Sequence, residues 1–212
     1  MKKFFATFLF SALFAGMAVA QDAPTVITQP AAGETINLYR TTTGFESIYY
    51  YGVPHQSTGD WHRLVFGDDG AVYLENPLNS LYTKTWIKGK RTEGNTISFQ
   101  LPQAIYAEED FSTGDYKYGY LYRIHPATKD GKQTYMPNEG EANQVLKYVW
   151  RNDSLVMVLG REEMIGMCRE TGAWTSYAEG TYEGVRKDNN TEGPSASAKT
   201  WDGLILYMDM EG

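Results

Sequence analysis

The 212-residue chain has little cysteine, little histidine and little charge, and each shortage excludes a class of protein. Its one cysteine, Cys168, cannot form an intrachain disulfide, so a hydrophobic core must hold the fold, and a chain of this length can bury one. Charged residues make up only 21%, while 16 Tyr and 21 Gly are present, which argues against a helical bundle rich in Ala, Leu, Glu and Lys. Because Cys168 lies in an apolar stretch, we interpret it as a buried, unreactive thiol.

The first twenty residues have the organisation of a secretory signal peptide. Lys2 and Lys3 precede an apolar run that ends in Ala18 and Ala20, small residues at the positions expected before a cleavage site. The run is short for a membrane span of about 20 residues. We therefore predict an exported protein, periplasmic or extracellular, with no membrane span after signal cleavage.

Removal of this segment changes the composition of the part that folds. Five of the nine Phe lie within residues 1–20, whereas all Tyr and Trp lie beyond them. The loss of Lys2 and Lys3 takes the formal net charge from −7 to about −9. Such a charge argues against nucleic acid and anionic membranes as partners. A set of aromatics dominated by Tyr and Trp suits half-buried sheet faces and binding surfaces.

Local composition divides the chain into five parts. We predict a signal peptide at 1–20, an extended leader at 21–33, an antiparallel β-domain at 34–186, a flexible linker at 187–200 and a C-terminal strand within 201–212. Pro24 and Pro30 mark the leader, and Asn, Ser, Thr, Gly and Pro194 mark the linker.

Short β-rich segments recur throughout the β-domain, and we count about ten. Three hairpins are predicted, at 61–66 with 71–75, 86–91 with 95–101, and 145–150 with 155–159. Alternation also places Ile36, Leu38 and Arg40 on one side of a strand at 36–42. No amphipathic helix longer than about two turns is present. The sequence predicts an all-β protein, an antiparallel meander that forms a lipocalin-like barrel or, alternatively, a two-sheet β-sandwich.

One predicted strand, at 116–124, carries tyrosine at every second position. Tyr116, Tyr118, Tyr120 and Tyr122 share a face with Ile124. Aromatic rings in such a row stack on sugar rings or anchor protein interfaces, but tyrosine is also an ordinary strand residue that packs across strands.

Several motifs together resemble a β-rich domain of no assigned activity that is common in exported and surface proteins of Bacteroidetes. The motifs lie at 68–77 (DDGAVYLENP), 85–89 (TWIKG), 94–99 (GNTISF), 101–103 (LPQ) and 174–177 (WTSY). The resemblance spans about residues 29–185. It implies export and a β-rich fold, and it carries no mechanism.

Candidate catalytic and metal-binding residues are few. Glu108, Asp110 and Asp115 are weak candidate calcium ligands, and we favour an acidic, solvated loop as the explanation for them. Adjacent Glu108 and Glu109 point to opposite sides of an extended chain, which makes them a poor glycosidase pair. The three histidines are His55, His62 and His125. Neither among themselves nor with Asp60 do they have the spacing of zinc ligands. No cofactor is predicted.

These observations favour a non-enzymatic exported β-domain that binds a glycan or a surface protein. The candidate ligand-binding residues are aromatic: Tyr116, Tyr118, Tyr120, Tyr122, Trp86 and Tyr73. Two alternatives remain open at this point, a structural spacer without a ligand and a hydrolase that acts on polysaccharide.

Overall fold

The structure, a computed structural model, describes residues 23–42, 47–49, 53–55, 61–78 and 85–186. The predicted signal peptide, the linker and the C-terminal strand lie outside these residues. Within them the protein is all-β, and its only helix is a short 3₁₀ turn at Glu141–Gln144.

Fifteen strands are present in the described residues. In chain order they are β1 (Gly33–Thr42), β2 (Ser47–Tyr49), β3 (Val53–His55), β4 (Trp61–Gly67), β5 (Val72–Glu75), β6 (Trp86–Arg91), β7 (Thr96–Gln100), β8 (Gln103–Glu109), β9 (Tyr116–Lys129), β10 (Lys132–Pro137), β11 (Val145–Arg151), β12 (Ser154–Val158), β13 (Met164–Cys168), β14 (Trp174–Glu179) and β15 (Tyr182–Arg186).

Eight antiparallel strands close into a barrel, as one of the two predicted architectures requires. Their order around it is β1, β15, β12, β11, β7, β6, β5 and β4, and β4 pairs with β1 to close the ring. The long strand β1 makes closure possible because its first part pairs with β4 and its last part with β15. A closed barrel leaves no unpaired edge strand.

The three predicted hairpins are confirmed, with Leu64 opposite Leu74 and Phe66 opposite Val72 in the first. The apolar run at 155–159 is not buried on both faces of its strand. In β12, Leu155 and Met157 are buried inside the barrel, whereas Val158 is 40% exposed. Apolar residues on the outer face of this strand therefore gave it a misleadingly uniform pattern.

A second sheet accompanies the barrel, and we call it the second sheet throughout. Its order is β10, β9, β13 and β14, and β8 also pairs with β9. The sheet is curled into a half-barrel: Tyr135 on β10 and Trp174 on β14 meet across its face, with ring centroids 4.9 Å apart. Strands β2 and β3 form a separate two-stranded sheet.

The two faces of the second sheet have different surroundings. Side chains of its convex face, among them Ile105, Leu121, Ile165 and Met167, are buried in the same core as the barrel interior. The concave face carries its own small core of Ile124, Met164, Cys168 and Ala178. Between residues 85 and 186 the chain crosses four times between the barrel and the second sheet, so the simple meander expected from the sequence is interrupted twice.

Candidate functional site

The tyrosine row, defined as Tyr116, Tyr118, Tyr120 and Tyr122, follows β9 along the concave face of the second sheet. Tyr116 is 56% exposed and the other three are half-buried. Ring centroids are 6.2 Å apart between Tyr116 and Tyr118 and 6.5 Å apart between Tyr118 and Tyr120. Interplanar angles of 31° and 51° show that each ring is rotated relative to the next, as the twist of a strand requires. The row is therefore open to solvent.

Small residues flank the row on the neighbouring strands. Across β8, Tyr118 is opposite Ala107 and Tyr120 is opposite Ala104. Across β13, Tyr120 is opposite Cys168 and Tyr122 is opposite Gly166. Because directly opposite side chains lie on the same face and touch, large partners here would cover the rings. Small partners leave the tyrosines standing along a shallow channel, which we call the tyrosine trough.

The trough is closed at one end. Ile124, the next residue of β9 on this face, is fully buried among Met164, Cys168 and Ala178. Tyr135 and Trp174 pack over that cluster, and the indole nitrogen of Trp174 donates a hydrogen bond of 2.9 Å to the Tyr177 carbonyl. Gly166 is required beside Ile124, since an added Cβ would come within 2.3 Å of the Ile124 Cδ1 atom. A ligand chain can thus enter the trough only from the Tyr116 end.

The β8–β9 loop stands at the open end and presents Phe111, which is 93% exposed. Asp110 organises this loop: its carboxylate accepts hydrogen bonds from Ser112 N, from Ser112 Oγ and from Lys117 Nζ. These bonds, above all the one from Lys117, lower the pKa of Asp110 below its usual range. The Asp110 carboxylate is therefore occupied by protein donors.

This loop also contains the candidate calcium ligands. The backbone nitrogen of Asp110 donates a hydrogen bond to the backbone carbonyl of Asp115. Glu108 is directly opposite Lys117 across β8 and β9. Among the described residues, no group of three or more His, Cys, Asp or Glu lies close enough to hold a metal ion. The structure does not bring Glu108, Asp110 and Asp115 together as a cation site.

Carboxylates flank the trough. Glu109 is directly opposite Tyr116 across β8 and β9, and so shares its face. Glu170 follows β13 by two residues, and its charge helps to raise the pKa of Tyr120 and of Tyr122, for both of which burial is the larger cause. Acidic side chains therefore lie close to the tyrosine row.

Trp86 and Tyr73 do not belong to this surface. They are 1% and 5% exposed and pack with Val65 on the outside of the barrel, under Ile27 and Ala31 of the N-terminal segment. The Ile27 carbonyl of that segment also accepts a hydrogen bond from Trp86 N. The sequence could not show that the N-terminal segment covers Trp86, because Ile27 and Trp86 are about sixty positions apart.

A cleft of about 430 Å³ lies where the N-terminal segment crosses the barrel. Gln29, Pro30, Arg63 and Trp86 are among its lining residues. The guanidinium of Arg63 donates two hydrogen bonds to the Glu75 carboxylate, of 2.7 and 2.8 Å. Its charge is therefore neutralised within the protein, and the cleft offers no unmatched charge to a ligand.

The barrel interior contains a buried polar cluster that the sequence did not predict. Arg40 forms an ion pair with Glu179, which extends from β14 of the second sheet, and its guanidinium lies 3.7 Å from the centre of the Tyr182 ring. Tyr182 and Tyr148 hydroxyl oxygens are 2.7 Å apart. Alternation had placed Arg40 beside Ile36 and Leu38, and this signal could have marked it as inward-facing.

His62 completes that cluster. It is 3% exposed, and neither ring nitrogen has a hydrogen-bond partner of good geometry among the described residues. Burial, followed by the charge of Arg40, lowers the pKa of His62 to about 3, while the backbone of Glu75 acts in the opposite direction. An added Cβ on Gly184 would lie 2.8 Å from His62 Nε2, so the imidazole is tightly packed. The side chains of this cluster are thus buried inside the barrel and in contact with one another.

The remaining candidate residues lie apart from one another. His125 is exposed, and its Nδ1 is 2.9 Å from the Asn138 side-chain oxygen. The side chain of His55 and the whole of Asp60 lie outside the described residues. Cys168 is fully buried, as predicted, and burial raises the pKa of its thiol to about 12.

Comparisons of the chain with protein-family models, with curated proteins and with solved structures give no match. Within the described residues, no helix has the length and hydropathy needed to cross a membrane.

Proposed function

We propose that this protein is an exported, non-enzymatic module that binds an extended glycan in the tyrosine trough. The observation that carries the proposal is the row of tyrosines flanked by Ala104, Ala107, Gly166 and Cys168. A strand that used tyrosine only for packing would bury the rings against large neighbours. Here the rings remain accessible along a concave, one-ended channel.

The chemistry of the row suits a sugar chain. Aromatic faces stack on the apolar faces of pyranose rings, and tyrosine hydroxyls bond to sugar hydroxyls. Tyrosines held on a strand are rigid, so little conformational entropy is lost when a ligand is bound. The successive rotation of the rings matches a chain that turns as it extends.

Screening of the purified protein on a glycan array, followed by calorimetric titration of each positive glycan, tests the proposal. We expect the Tyr118→Ala/Tyr120→Ala double variant to lose about tenfold or more in affinity, since each aromatic contact contributes about 0.5–1.5 kcal/mol. Tyr118→Phe keeps the ring and removes the hydroxyl, and should retain most of the affinity if stacking dominates.

Trp61→Ala is the matched control. Trp61 is 42% exposed and packs edge-on against Tyr39 on the barrel, away from the trough. Thermal unfolding of every variant checks that the fold persists. Absence of binding to any glycan, or equal losses in the Trp61 and Tyr118/Tyr120 variants, would contradict the proposal and favour a spacer without a ligand.

A further inference from the structure

The charged side chains of the second sheet are sorted between its two faces. Glu109 shares the concave face with Tyr116 through their cross-strand pairing. Glu170 lies in the turn that follows β13, two residues after Cys168, and its charge acts on Tyr120 and Tyr122. Two carboxylates therefore lie near the tyrosine row, Glu109 at its exposed end and Glu170 near its middle.

The two cations of β9 nearest the tyrosine row, Lys117 and Arg123, are on the other face and form ion pairs there. Lys117 alternates with Tyr116 and Tyr118, and its Nζ donates to Asp110 at 2.7 Å. Arg123 donates to the Val145 carbonyl and forms an ion pair with Glu163. Among the described residues of β9 and β13, no basic side chain faces the tyrosine row.

We infer that the trough selects a glycan that carries positive charge, namely a polymer of amino sugars with free amino groups. This inference rests on the proposed function and names its ligand class. The amino groups would pair with Glu109 and Glu170 while the sugar rings lie along the tyrosine row. Ammonium groups also interact favourably with the faces of tyrosine rings, which adds to the selection for a cation. A uronate or sulfated glycan would be repelled by the same carboxylates.

A glycan suits the trough better than a cationic peptide. The rings are spaced at 6.2 and 6.5 Å on one face, so a ligand must offer an apolar surface repeatedly along its length. Each pyranose unit presents such a face together with its amino group. A lysine side chain places its charge at the end of a flexible stem and offers no rigid face.

Calorimetric titration with three hexamers tests the inference: glucosamine hexasaccharide, N-acetylglucosamine hexasaccharide and hexalysine, at a mildly acidic pH where the sugar amines are charged. We expect the glucosamine hexamer to bind about tenfold more tightly than the acetylated one, since each exposed ion or cation–π pair contributes a few-fold. Added salt should shrink this difference, because exposed charges are screened.

Two variants assign the difference to the named residues. Glu109→Gln and Glu170→Gln should each weaken binding of the glucosamine hexamer several times more than binding of the acetylated hexamer, and so reduce the preference between the two. Glu93→Gln, in the exposed turn between β6 and β7, removes the same charge elsewhere and should change neither affinity.

The outcomes separate this inference from the proposed function. Equal affinities for the two sugar hexamers would overturn the inference and leave glycan binding intact. Hexalysine affinity that equals that of the glucosamine hexamer would overturn it as well, because charge alone would then explain recognition. If neither of these hexamers nor any arrayed glycan binds, the proposed function fails together with the inference.

Discussion

His62 is a buried histidine whose role in this fold is structural. It lies inside the barrel against Tyr182, with the two ring centroids 5.8 Å apart, and next to the charged Arg40. Protonation would add a second positive charge in a space that already holds one, without a hydrogen-bond acceptor of good geometry among the described residues. The imidazole therefore stays neutral in the folded protein.

This neutrality predicts a loss of stability in acid. The pKa of His62 is about 3 in the folded protein and near 6.5 in the unfolded chain, so the unfolded state binds one more proton between these values. The contribution is complete above pH 6.5 and declines as the pH falls toward 3. Stability should fall by about 2 kcal/mol between neutral pH and pH 5 from this group alone.

Urea unfolding at a series of pH values measures this effect. His62→Leu removes the titrating group, so its stability should change less with pH than that of the parent. His125→Gln, at an exposed position, serves as the control and should follow the parent. A pH dependence that is the same in the parent and in the Leu variant would show that His62 is not the group responsible.

The alternation of residues predicted the direction of side chains better than it predicted their exposure. Arg40 and the four tyrosines lie on the faces that a period of two assigned to them. Exposure depends on what covers a face, and for Trp86 and Tyr73 the cover is Ile27, from a distant part of the chain. Single-sequence patterns contain no information about such contacts.

At the scale of elements, the Arg40–Glu179 ion pair joins β1 of the barrel to β14 of the second sheet. Both side chains are at most 2% exposed, and Arg40 also donates to the Asn76 carbonyl. Removing one partner leaves the other charge buried, which costs about 3–5 kcal/mol in comparable pairs. The pair therefore fixes how β14 docks against the barrel.

A double-mutant cycle tests this role. We expect Arg40→Met and Glu179→Leu each to lower the free energy of unfolding by about 3 kcal/mol, and the double variant to lose much less than their sum. The exposed Lys117–Asp110 pair should show a far smaller coupling when treated in the same way. Additive losses for Arg40 and Glu179 would mean that the two side chains do not depend on each other.

Elements with strong local signals were predicted and those without were not. Tight turns at Gly70, Gly94 and Asn152 marked the three barrel hairpins, and all three residues have positive φ. Strand β8 ends in consecutive carboxylates, and β10 contains charged and polar residues, so neither looked like a strand. Both strands are held in the second sheet by pairing with β9: β8 pairs with its first half and β10 with its second half.

At the scale of the whole molecule, the topology joins the barrel and the second sheet into one unit. The convex face of the second sheet is part of the barrel's core, and the chain crosses four times between them. The sequence predicted an antiparallel barrel or a two-sheet sandwich but not this division, because the choice of partner for each strand depends on long-range register. Unfolding of either part would therefore expose the core that the two share.

We therefore predict one cooperative unfolding transition, and the single cysteine offers a direct test of it. Cys168 is fully buried in the second sheet, and burial raises its pKa to about 12, so a thiol reagent can label it only when that sheet opens. The Trp174→Phe/Trp201→Phe variant lacks the described tryptophan of the second sheet and the tryptophan outside the described residues, and keeps Trp61, Trp86 and Trp150 as fluorescent reporters on barrel strands. In this variant, pulse labelling of Cys168 and tryptophan fluorescence should share one urea midpoint.

Labelling at a lower urea concentration than the fluorescence change would show that the second sheet opens while the barrel persists. The shared core of Leu121, Ile165 and Met167 with the barrel residues makes that order unfavourable, because opening the sheet would expose apolar side chains of both parts at once.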